Sequence, residues 1–368
     1  MKYRVLALLL VLGVLVAACG DDDAETTTTA AATTTTAGGG TDNAQAIADL
    51  EAILSENLYY MALQQSGQDE RTYAGEPYAA DAPIRIVFSI EGLSHPFLVA
   101  QTEAATAACE ALGCTVEIVS AEDDINKQFD DVQTALGTEP DALMMMPANT
   151  EGLATILAQY DDAGIPYFFA QKGMLGTNAV SQVLAAYAAE GKAIGDFVVE
   201  QFGDSATPVK VAVIEGIAGD VSSVARSGAC KLQLLKNGNF EIGASQPGEY
   251  RREPSQRVME GFLAAHPDVQ SVFGANDEAA LGALAAIRAA GIPDGQITIV
   301  SIDGQTDMFP EVTKGAVLAT FTHAVTAGKV VEEIVAYLHG EPVPAFLVSP
   351  GELVTAEKIA AGEVEPAF

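Results

Sequence analysis

The stretch SVFGANDEAALGALAAIRAAGIPDGQITIVSIDG, residues 271–304, carries the pattern that decides the fold. Two short apolar runs of strand length flank residues 279–290, which are rich in alanine and leucine as a helix is. Asn276 and Asp277 precede that helix, and the side chain of either one can cap it. Continuous apolar strands are typical of a parallel sheet that helices cover on both faces. We therefore predict a strand, a helix and a second strand of an α/β fold.

Polar residues stand at the points where the two strands of this unit end. Asn276 follows the first strand and Asp303 follows the second. Sheets of this kind bind ligands at the carboxyl ends of their strands. An amide that donates and accepts, beside a carboxylate that accepts twice, suits neighbouring hydroxyl groups of a small polar ligand. The alternative is that Asn276 and Asp277 only cap the helix and Asp303 only turns the chain.

The same alternation of strands and helices runs through the chain from Pro83 onward, in two successive cycles. Short apolar runs between helices of ordinary length predict parallel sheets with right-handed crossovers, and so an α/β fold of two similar lobes. The predicted strands are 84–90, 115–119, 142–146, 167–170, 180–184, 209–214, 240–244, 271–275 and 297–302, and the predicted helices are 97–112, 125–136, 152–163, 188–202, 223–236, 255–265 and 279–290.

The amino terminus has the features of an export signal. A positively charged start precedes apolar residues 5–18, a run too short to span a bilayer comfortably but of signal-peptide length. The run ends in VAAC at residues 16–19, which resembles the lipobox of bacterial lipoproteins and implies cleavage before Cys19 and lipidation of its thiol. We expect residues 1–18 to be a signal peptide and residues 19–41 to be a lipid anchor with a disordered, threonine-rich tether.

An amphipathic helix is predicted in the next segment, the N-terminal helical extension of residues 42–82. Its apolar residues recur at helical spacing. This helix either covers the protein's own body or docks on a partner. The residues that carry the pattern are Ile47, Leu50, Ile53, Leu54, Leu58 and Met61.

Composition limits the class of protein and its partners. At 368 residues, 49% of them apolar, the chain has room for two domains with substantial cores. Its formal net charge of -32, without a basic stripe, argues against binding to nucleic acid. Neither a phosphate-cradling GxxxxGK[ST] motif nor an HExxH or GxSxG motif occurs, and no His/Cys cluster is spaced for a metal. We therefore expect a protein that is not an enzyme and that holds no metal and no cofactor.

The cysteines that follow Cys19 leave one question open. Cys109 and Cys114 flank a helix-to-strand corner, close enough to form a disulfide in an oxidising compartment. Alternatively, Cys109 is an ordinary buried helix residue with a free thiol. Cys230 lies on an apolar helical face, where we expect it to pack in the core.

Several motifs together resemble one family. The residues from about 84 to 354 are similar to bacterial solute-binding proteins of the ribose-binding-protein-like type, the type 1 periplasmic binding protein family, here in a lipoprotein form. The motifs that carry the resemblance are GIAG at 216–219, ASQPGEY at 244–250, AHPDVQSVFGANDEAALGAL at 265–284 and SIDG at 301–304. The resemblance implies two doubly wound parallel-sheet lobes joined by a three-strand hinge, with residues 83–185 plus 323–348 in lobe 1 and residues 186–322 plus 349–368 in lobe 2.

The resemblance also implies a ligand site between the lobes. Aromatic rings of the two lobes face each other in the family, and Phe97 and Tyr250 match them. Asn276 and Asp303 match the family's hydroxyl-binding amide and carboxylate. The full set of ligand-binding residues implied in this way is His95, Phe97, Leu98, Met146, Gln171, Tyr250, Asn276, Asp303 and His323.

This sequence departs from the family at several of those positions. Leu98 replaces a second aromatic, Gln171 replaces a carboxylate and Met146 replaces an asparagine. The arginine that usually reaches into the cleft falls on Val224, and Arg226 lies two residues further on. Because an unmatched buried hydroxyl costs about 1 to 3 kcal/mol, losing a carboxylate and an arginine argues against ribose itself.

The function that the resemblance implies is capture of a small sugar or sugar-like ligand by lobe closure, and delivery to the permease of an ABC importer. We expect an exported monomer attached to the cell membrane by a lipid anchor, on the periplasmic or extracellular face. One alternative is a ligand-sensing receptor subunit for a membrane kinase or chemoreceptor. Another is a binding protein for a less hydroxylated cyclic ligand.

Overall fold

Two six-stranded sheets, each covered by helices, form the body of the protein. The computed structural model describes residues 42–148 and 152–368. The expected signal peptide, Cys19 and the expected tether lie outside the described residues. Within the described residues, no helix is both long enough and apolar enough to cross a membrane.

The extension contains two helices where the sequence predicts one, so that prediction is wrong. The elements are α1 (Asp42–Ser55), α2 (Leu58–Gln65) and the short strand β1 (Glu70–Arg71). The break occurs because Asn57 adopts extended backbone, with φ -78° and ψ 131°, and its side chain accepts the Tyr59 N–H to cap α2. Within α1, Ile53 is 52% exposed, whereas Leu54 is buried.

The first lobe follows the predicted order of elements, with each boundary within about one or two residues of its expected place. The elements are β2 (Arg85–Ile90), α3 (Pro96–Leu112), β3 (Thr115–Ser120), α4 (Ile125–Leu136), β4 (Ala142–Met146), α5 (Leu153–Ala163), β5 (Tyr167–Gln171) and β6 (Ser181–Ala185).

The second lobe repeats the pattern, and the chain then returns to the first lobe before it ends in the second. The lobe contains α6 (Tyr187–Phe202), β7 (Val209–Glu215), α7 (Val221–Asn237), β8 (Phe240–Pro247), α8 (Arg252–Ala265), β9 (Ser271–Gly274), α9 (Asp277–Ala289), β10 (Thr298–Val300), α10 (Met308–Thr313) and β11 (Ala319–Phe321). The remaining elements are α11 (Ala327–Leu338), β12 (Val343–Pro344), β13 (Phe346–Ser349), β14 (Leu353–Thr355) and α12 (Ala356–Ala361).

Strand order confirms the predicted α/β class. The first sheet runs β13-β6-β5-β4-β2-β3, and its paired strands are all parallel. The second sheet runs β14-β11-β10-β9-β7-β8 and is parallel except for β14, which is antiparallel to β11. The chain passes between the sheets after β6, after β11 and after β13, so three connections join the lobes.

Both faces of each sheet are buried, which explains the continuous apolar strands. In the first sheet Met144 and Phe168 pack on one face, while Met145 and Phe169 pack on the other. Burying one such side chain contributes roughly 1.5 to 3 kcal/mol. Alternate residues of every central strand therefore stabilise opposite helix layers.

A disulfide joins Cys109 and Cys114 at the corner between α3 and β3, where their Cα atoms are 4.6 Å apart. The chain turns there through Gly113, which has a φ of 76° and ends α3 in the left-handed conformation that glycine adopts without strain. Cys230 is buried within α7 and keeps a free thiol.

Candidate functional site

A cavity of about 120 Å³ lies between the lobes. Its walls come from the segments that follow strands of both sheets, so the carboxyl ends of the two sheets face each other across it. The lining includes eight of the nine residues that the sequence predicts for the ligand site: His95, Phe97, Leu98, Met146, Tyr250, Asn276, Asp303 and His323.

Gln171 is the ninth residue, and it lies behind the wall rather than in it. Its side chain is buried, and its Oε1 accepts hydrogen bonds from Gln101 Nε2 at 3.0 Å and Thr326 Oγ1 at 3.1 Å. Its amide nitrogen contacts Nε2 of His323. The structure therefore places Gln171 outside the lining of the cavity, where its hydrogen bonds join the first lobe to the second connection between the lobes.

The first-lobe wall combines an apolar patch with the polar side chains of Glu91, Ser94, His95, Asp123 and Lys172. His95 caps α3, since its Nδ1 accepts the Phe97 N–H at 3.1 Å. A neutral ring that accepts through Nδ1 carries its proton on Nε2, and this buried atom has no partner within the described residues. The Phe97 ring lies 5.0 Å from that of His323, and Leu98 and Met146 complete the apolar surface.

Arg226 belongs to the second-lobe wall, which corrects the expectation that the cleft lacks an arginine. Its Nη1 donates to the carbonyl of Ala275 at 2.7 Å and to Asp303 Oδ1 at 3.2 Å, and its Nη2 donates to Glu190 Oε2 at 2.9 Å. Its Nε is buried and has no hydrogen-bond partner among the residues that the structure describes. Although burial opposes the charge, Glu190 and Asp303 raise the pKa of Arg226 above its ordinary value. The loss of an arginine therefore no longer argues against ribose.

Glu190 of α6 holds His323 and Arg226 in place, a role that no sequence motif predicted. The His323 Nδ1–H donates to Glu190 Oε1 at 2.8 Å, because Nε2 accepts from the Gln171 amide. Burial alone would raise the pKa of Glu190, but His323 and Arg226 hold it below its ordinary value. Helices α6 and α7 approach each other closely at Gly191 of α6, where a Cβ atom would overlap the backbone of Arg226 in α7.

Asn276 caps a helix and also lies in the cavity wall, where a hydroxyl-binding role remains a prediction. Its Oδ1 accepts the Ala279 N–H at 2.8 Å and caps α9, and its Nδ2 donates to the carbonyl of Tyr250 at 3.2 Å. The residue also lines the cavity. The amide is thus held rigidly at the cavity wall by its own hydrogen bonds.

Asp303 lines the cavity in a strained backbone conformation, with a φ of 137°. Asp277, the other expected cap, is instead buried beneath it, where its carboxylate accepts from the hydroxyls of Ser301 at 2.5 Å and Thr320 at 2.7 Å. Burial and the neighbouring Asp303 raise the pKa of Asp277 to about 8. Asp277 therefore supports the loop that presents Asp303.

Tyr250 faces the cavity from a turn whose backbone is left-handed at this residue, with a φ of 58°. Its ring packs over Gly216 so closely that a Cβ there would overlap it. Its hydroxyl is buried without a partner in the described part of the chain, and burial raises the pKa of Tyr250 to about 12.

Ion pairs join the two lobes beside the cavity, and the sequence did not predict them. Lys172 of the first lobe lies 2.8 Å from Glu91 and 3.5 Å from Asp220, which caps α7 in the second lobe. Arg251 of the second lobe lies 3.5 Å from Asp123 of the first. The lobes are therefore in contact across the cleft.

Comparison with known proteins gives the family. Residues 86–341 match the family model described as periplasmic binding protein domain. The ribose import binding protein of Haemophilus influenzae is 30% identical over 285 residues, which cover 77% of this chain and 88% of that protein. Two lobes around a polar cleft define a ligand-binding protein, and the chain belongs to the periplasmic binding protein family.

Solved structures of similar proteins share the fold. A Mycobacterium smegmatis protein in complex with β-D-fucofuranose has a TM-score of 0.72 and 26% identity, over 76% of this chain and 93% of that one. The binding component of the arabinose ABC transporter from Shewanella sp. ANA-3, bound to α- and β-L-arabinofuranose, has a TM-score of 0.71 and 27% identity, over 76% and 94% of the two chains. The Haemophilus influenzae and Shewanella proteins are binding proteins of transporters, and the chain is a binding protein rather than an enzyme.

Proposed function

We propose that this protein captures a small neutral sugar between its lobes and delivers it to an ABC importer. The observation that carries the proposal is a cavity lined by both hydrogen-bond donors and acceptors, among them His95, Arg226, Tyr250 and Asp303. Three polar atoms of these residues, His95 Nε2, Arg226 Nε and the Tyr250 hydroxyl, are buried and lack partners within the described residues. Leaving a buried donor or acceptor unsatisfied costs about 1 to 3 kcal/mol each, which a ligand recovers where closure brings its hydroxyl groups to these atoms.

The chemistry of these atoms favours hydroxyl groups. His95 Nε2 and Arg226 Nε can only donate, whereas the carboxylate of Asp303 can only accept. A hydroxyl both donates and accepts, so adjacent sugar hydroxyls match this mixed set. Phe97 and Tyr250 add rings that can pack on the apolar face of a sugar.

The size of the cavity favours a monosaccharide. A volume of about 120 Å³ holds roughly ten water-sized positions at 10 to 15 Å³ each. Pentoses and hexoses have a similar number of non-hydrogen atoms. Because the similar proteins from Mycobacterium smegmatis and Shewanella were solved with fucofuranose and arabinofuranose, we propose a sugar in its five-membered-ring form.

The charges at the site favour a neutral ligand. Arg226 is paired with Glu190 and Asp303, and Lys172 is paired with Glu91. Breaking a buried pair to bind a charged group leaves the other partner uncompensated, which costs about 3 to 5 kcal/mol. A neutral polyol can accept or donate hydrogen bonds without displacing these pairs.

Capture would follow from contacts that exist on both sides of the ligand only when the lobes are closed. Phe97 and His95 stand on one lobe, and Tyr250 and Asp303 on the other. A ligand that touches both walls binds the closed form more tightly and shifts the population toward it. The closed form would then be the one that the permease recognises.

The ligand class can be tested by thermal unfolding of the protein with L-arabinose, D-ribose, D-fucose and myo-inositol. Binding at a hundredfold excess over the dissociation constant adds about 2.7 kcal/mol to the free energy of unfolding. We expect at least one furanose-forming sugar to raise the melting temperature, and calorimetry to give one site per chain. If none of the three sugars raises it while a charged sugar acid does, the proposal of a neutral sugar is wrong.

We also propose that Cys19 anchors a monomeric protein to the membrane, a proposal that rests on the lipobox-like VAAC at residues 16–19. In cells that produce the full chain, Cys19→Ser should move the protein from the membrane fraction to the soluble exported fraction. Light scattering of the soluble form should give the mass of one chain. A Cys19→Ser protein that stays in the membrane fraction would contradict lipid anchoring.

A further inference from the structure

The extension of residues 42–82 precedes the segment that matches the family model, residues 86–341, yet it packs on both lobes. On the second lobe, Leu54 of α1 packs with Ala229 and Leu232 of α7. On the first lobe, β1 pairs with β12. The extension therefore spans the connections between the two lobes.

Helix α2 lies where the first of those connections passes. Its residues Leu58, Tyr59 and Ala62 are buried against a group of residues from both lobes, and Asn57 Nδ2 donates to the carbonyl of Val221 at 3.0 Å. That group consists of Leu184, Ala185, Tyr187, Ala188 and Ala225. Helix α2 thus contacts the end of β6, the start of α6 and the body of α7.

A chain of ring contacts leads from α2 to the cavity wall. The Tyr59 ring lies 4.6 Å from the Tyr187 ring, which lines the cavity. The Tyr187 ring lies 4.7 Å from the His323 ring and 4.9 Å from the guanidinium carbon of Arg226. Tyr59 itself is only 3% exposed, so its ring has little freedom to move.

We propose that Tyr59 is a positioning residue for the binding site: it holds Tyr187, which in turn holds His323 and Arg226 in the wall of the cavity. The extension is then part of the binding machinery although it contributes no atom to the wall described above. Aromatic contacts of this kind contribute beyond the area that they bury, and a cation over a ring adds to them. The measurement of sugar affinity that tests this inference rests on the proposed sugar-binding function.

Two adjacent tyrosines offer a matched test in the full chain. Tyr59 is 3% exposed and contacts Tyr187, whereas Tyr60 is 40% exposed. We expect Tyr59→Ala to weaken L-arabinose or D-ribose binding about tenfold, mainly through faster dissociation, because a loosened wall destabilises the closed complex. Tyr59→Phe keeps the ring and should restore wild-type affinity, and Tyr60→Ala should not change it.

A ligand-free measurement separates this inference from the proposed function. Hydrogen exchange of the protein without sugar should be faster in Tyr59→Ala at residues 187–191 and 321–326, and unchanged there in Tyr59→Phe and Tyr60→Ala. If no sugar binds but this pattern is seen, the proposed ligand is wrong and the positioning role stands. If Tyr59→Ala lowers the melting temperature without faster exchange at those residues, Tyr59 is merely structural and the inference is overturned.

Discussion

The two walls of the cleft differ in what they bring to recognition. Phe97, Leu98 and Met146 form an apolar patch of the first-lobe wall, here called the apolar wall, which His95 and Lys172 border. The second-lobe wall, here called the polar wall, presents Arg226 and Asp303, which are paired with each other. Under the proposed function, the apolar wall packs on the ligand and the polar wall supplies hydrogen bonds to its hydroxyl groups.

The polar wall is rigid because its side chains are held by other protein groups. Glu190 and Asp303 hold the guanidinium of Arg226, and Asn276 is fixed by the cap of α9. Groups arranged in this way need little reorganisation when a ligand arrives. The apolar wall needs no such support, since packing tolerates small shifts better than hydrogen bonding does.

The largest effect is expected from Asp303→Asn in the polar wall. The amide keeps an oxygen for Arg226 but loses the charge and one acceptor for sugar hydroxyls, and hydrogen bonds to charged groups contribute about 1.5 to 3 kcal/mol. Affinity for L-arabinose or D-ribose should fall by about a hundredfold in calorimetry. Asp307→Asn, in the same loop with a side chain 74% exposed, is the control and should bind as the wild type does. Equal affinities of the two variants would show that the polar wall does not decide recognition.

A smaller loss is expected from Phe97→Ala in the apolar wall. Removing the ring takes away the packing surface for a sugar face and the contact with His323 at 5.0 Å, so affinity should fall by about tenfold. Val99→Ala on the same helix, at a position 38% exposed, should leave affinity unchanged. A loss as large as that of Asp303→Asn would mean that the two walls contribute equally.

Tyr250→Phe should have a still smaller effect on binding and should not destabilise the free protein. Its hydroxyl has no partner within the described residues, so removing it breaks no hydrogen bond of the ligand-free state. Sugar affinity should fall by about fivefold, which corresponds to roughly 1 kcal/mol. Chemical denaturation of the ligand-free variant should give an unchanged or higher free energy of unfolding. A clear decrease would show that the hydroxyl already serves the fold.

A further expected effect concerns stability rather than affinity, through pH and the support beneath Asp303. Burial and Asp303 raise the pKa of Asp277 from 3.8 to about 8, so the folded state keeps a proton that the unfolded state loses. The stabilisation of the folded state by the proton on Asp277 is therefore full below pH about 4 and is lost as the pH rises toward 8. In melting curves between pH 5 and pH 8, Asp277→Asn should show a shallower decrease than the wild type. If the melting temperatures of the two proteins decreased equally with pH, Asp277 would not be the source of the pH dependence.

Local patterns predicted the fold well because each strand and helix carries its own signal. The apolar run that became β4 is buried on both faces, and Asp124 and Asn276 cap the helices that follow them. The extension is the exception. Its helical spacing continues across Asn57, but the chain breaks there because Asn57 takes extended backbone and caps α2.

Residues at strand ends were predictable for the site, since a parallel sheet brings such positions together. Site residues on helices were not predictable, because the direction in which such a side chain points depends on how two helices pack. Arg226 reaches the cavity although it lies two residues from the expected position, and Glu190 meets it only because α6 and α7 approach at Gly191. Gln171 sits at a strand end, yet it bonds to Gln101 and Thr326 behind the wall.

The sequence by itself determined the α/β class, the order of strands and helices and eight of the residues that line the cleft. These follow from short-range periodicity, from capping side chains and from the rule that parallel strands end at one edge. Only the tertiary structure decided which charges pair, how the extension spans the lobes and which polar atoms are left without partners. Those features depend on distances between residues far apart in the chain, such as Tyr59 and Tyr187 or Glu190 and His323, and no local pattern encodes such distances.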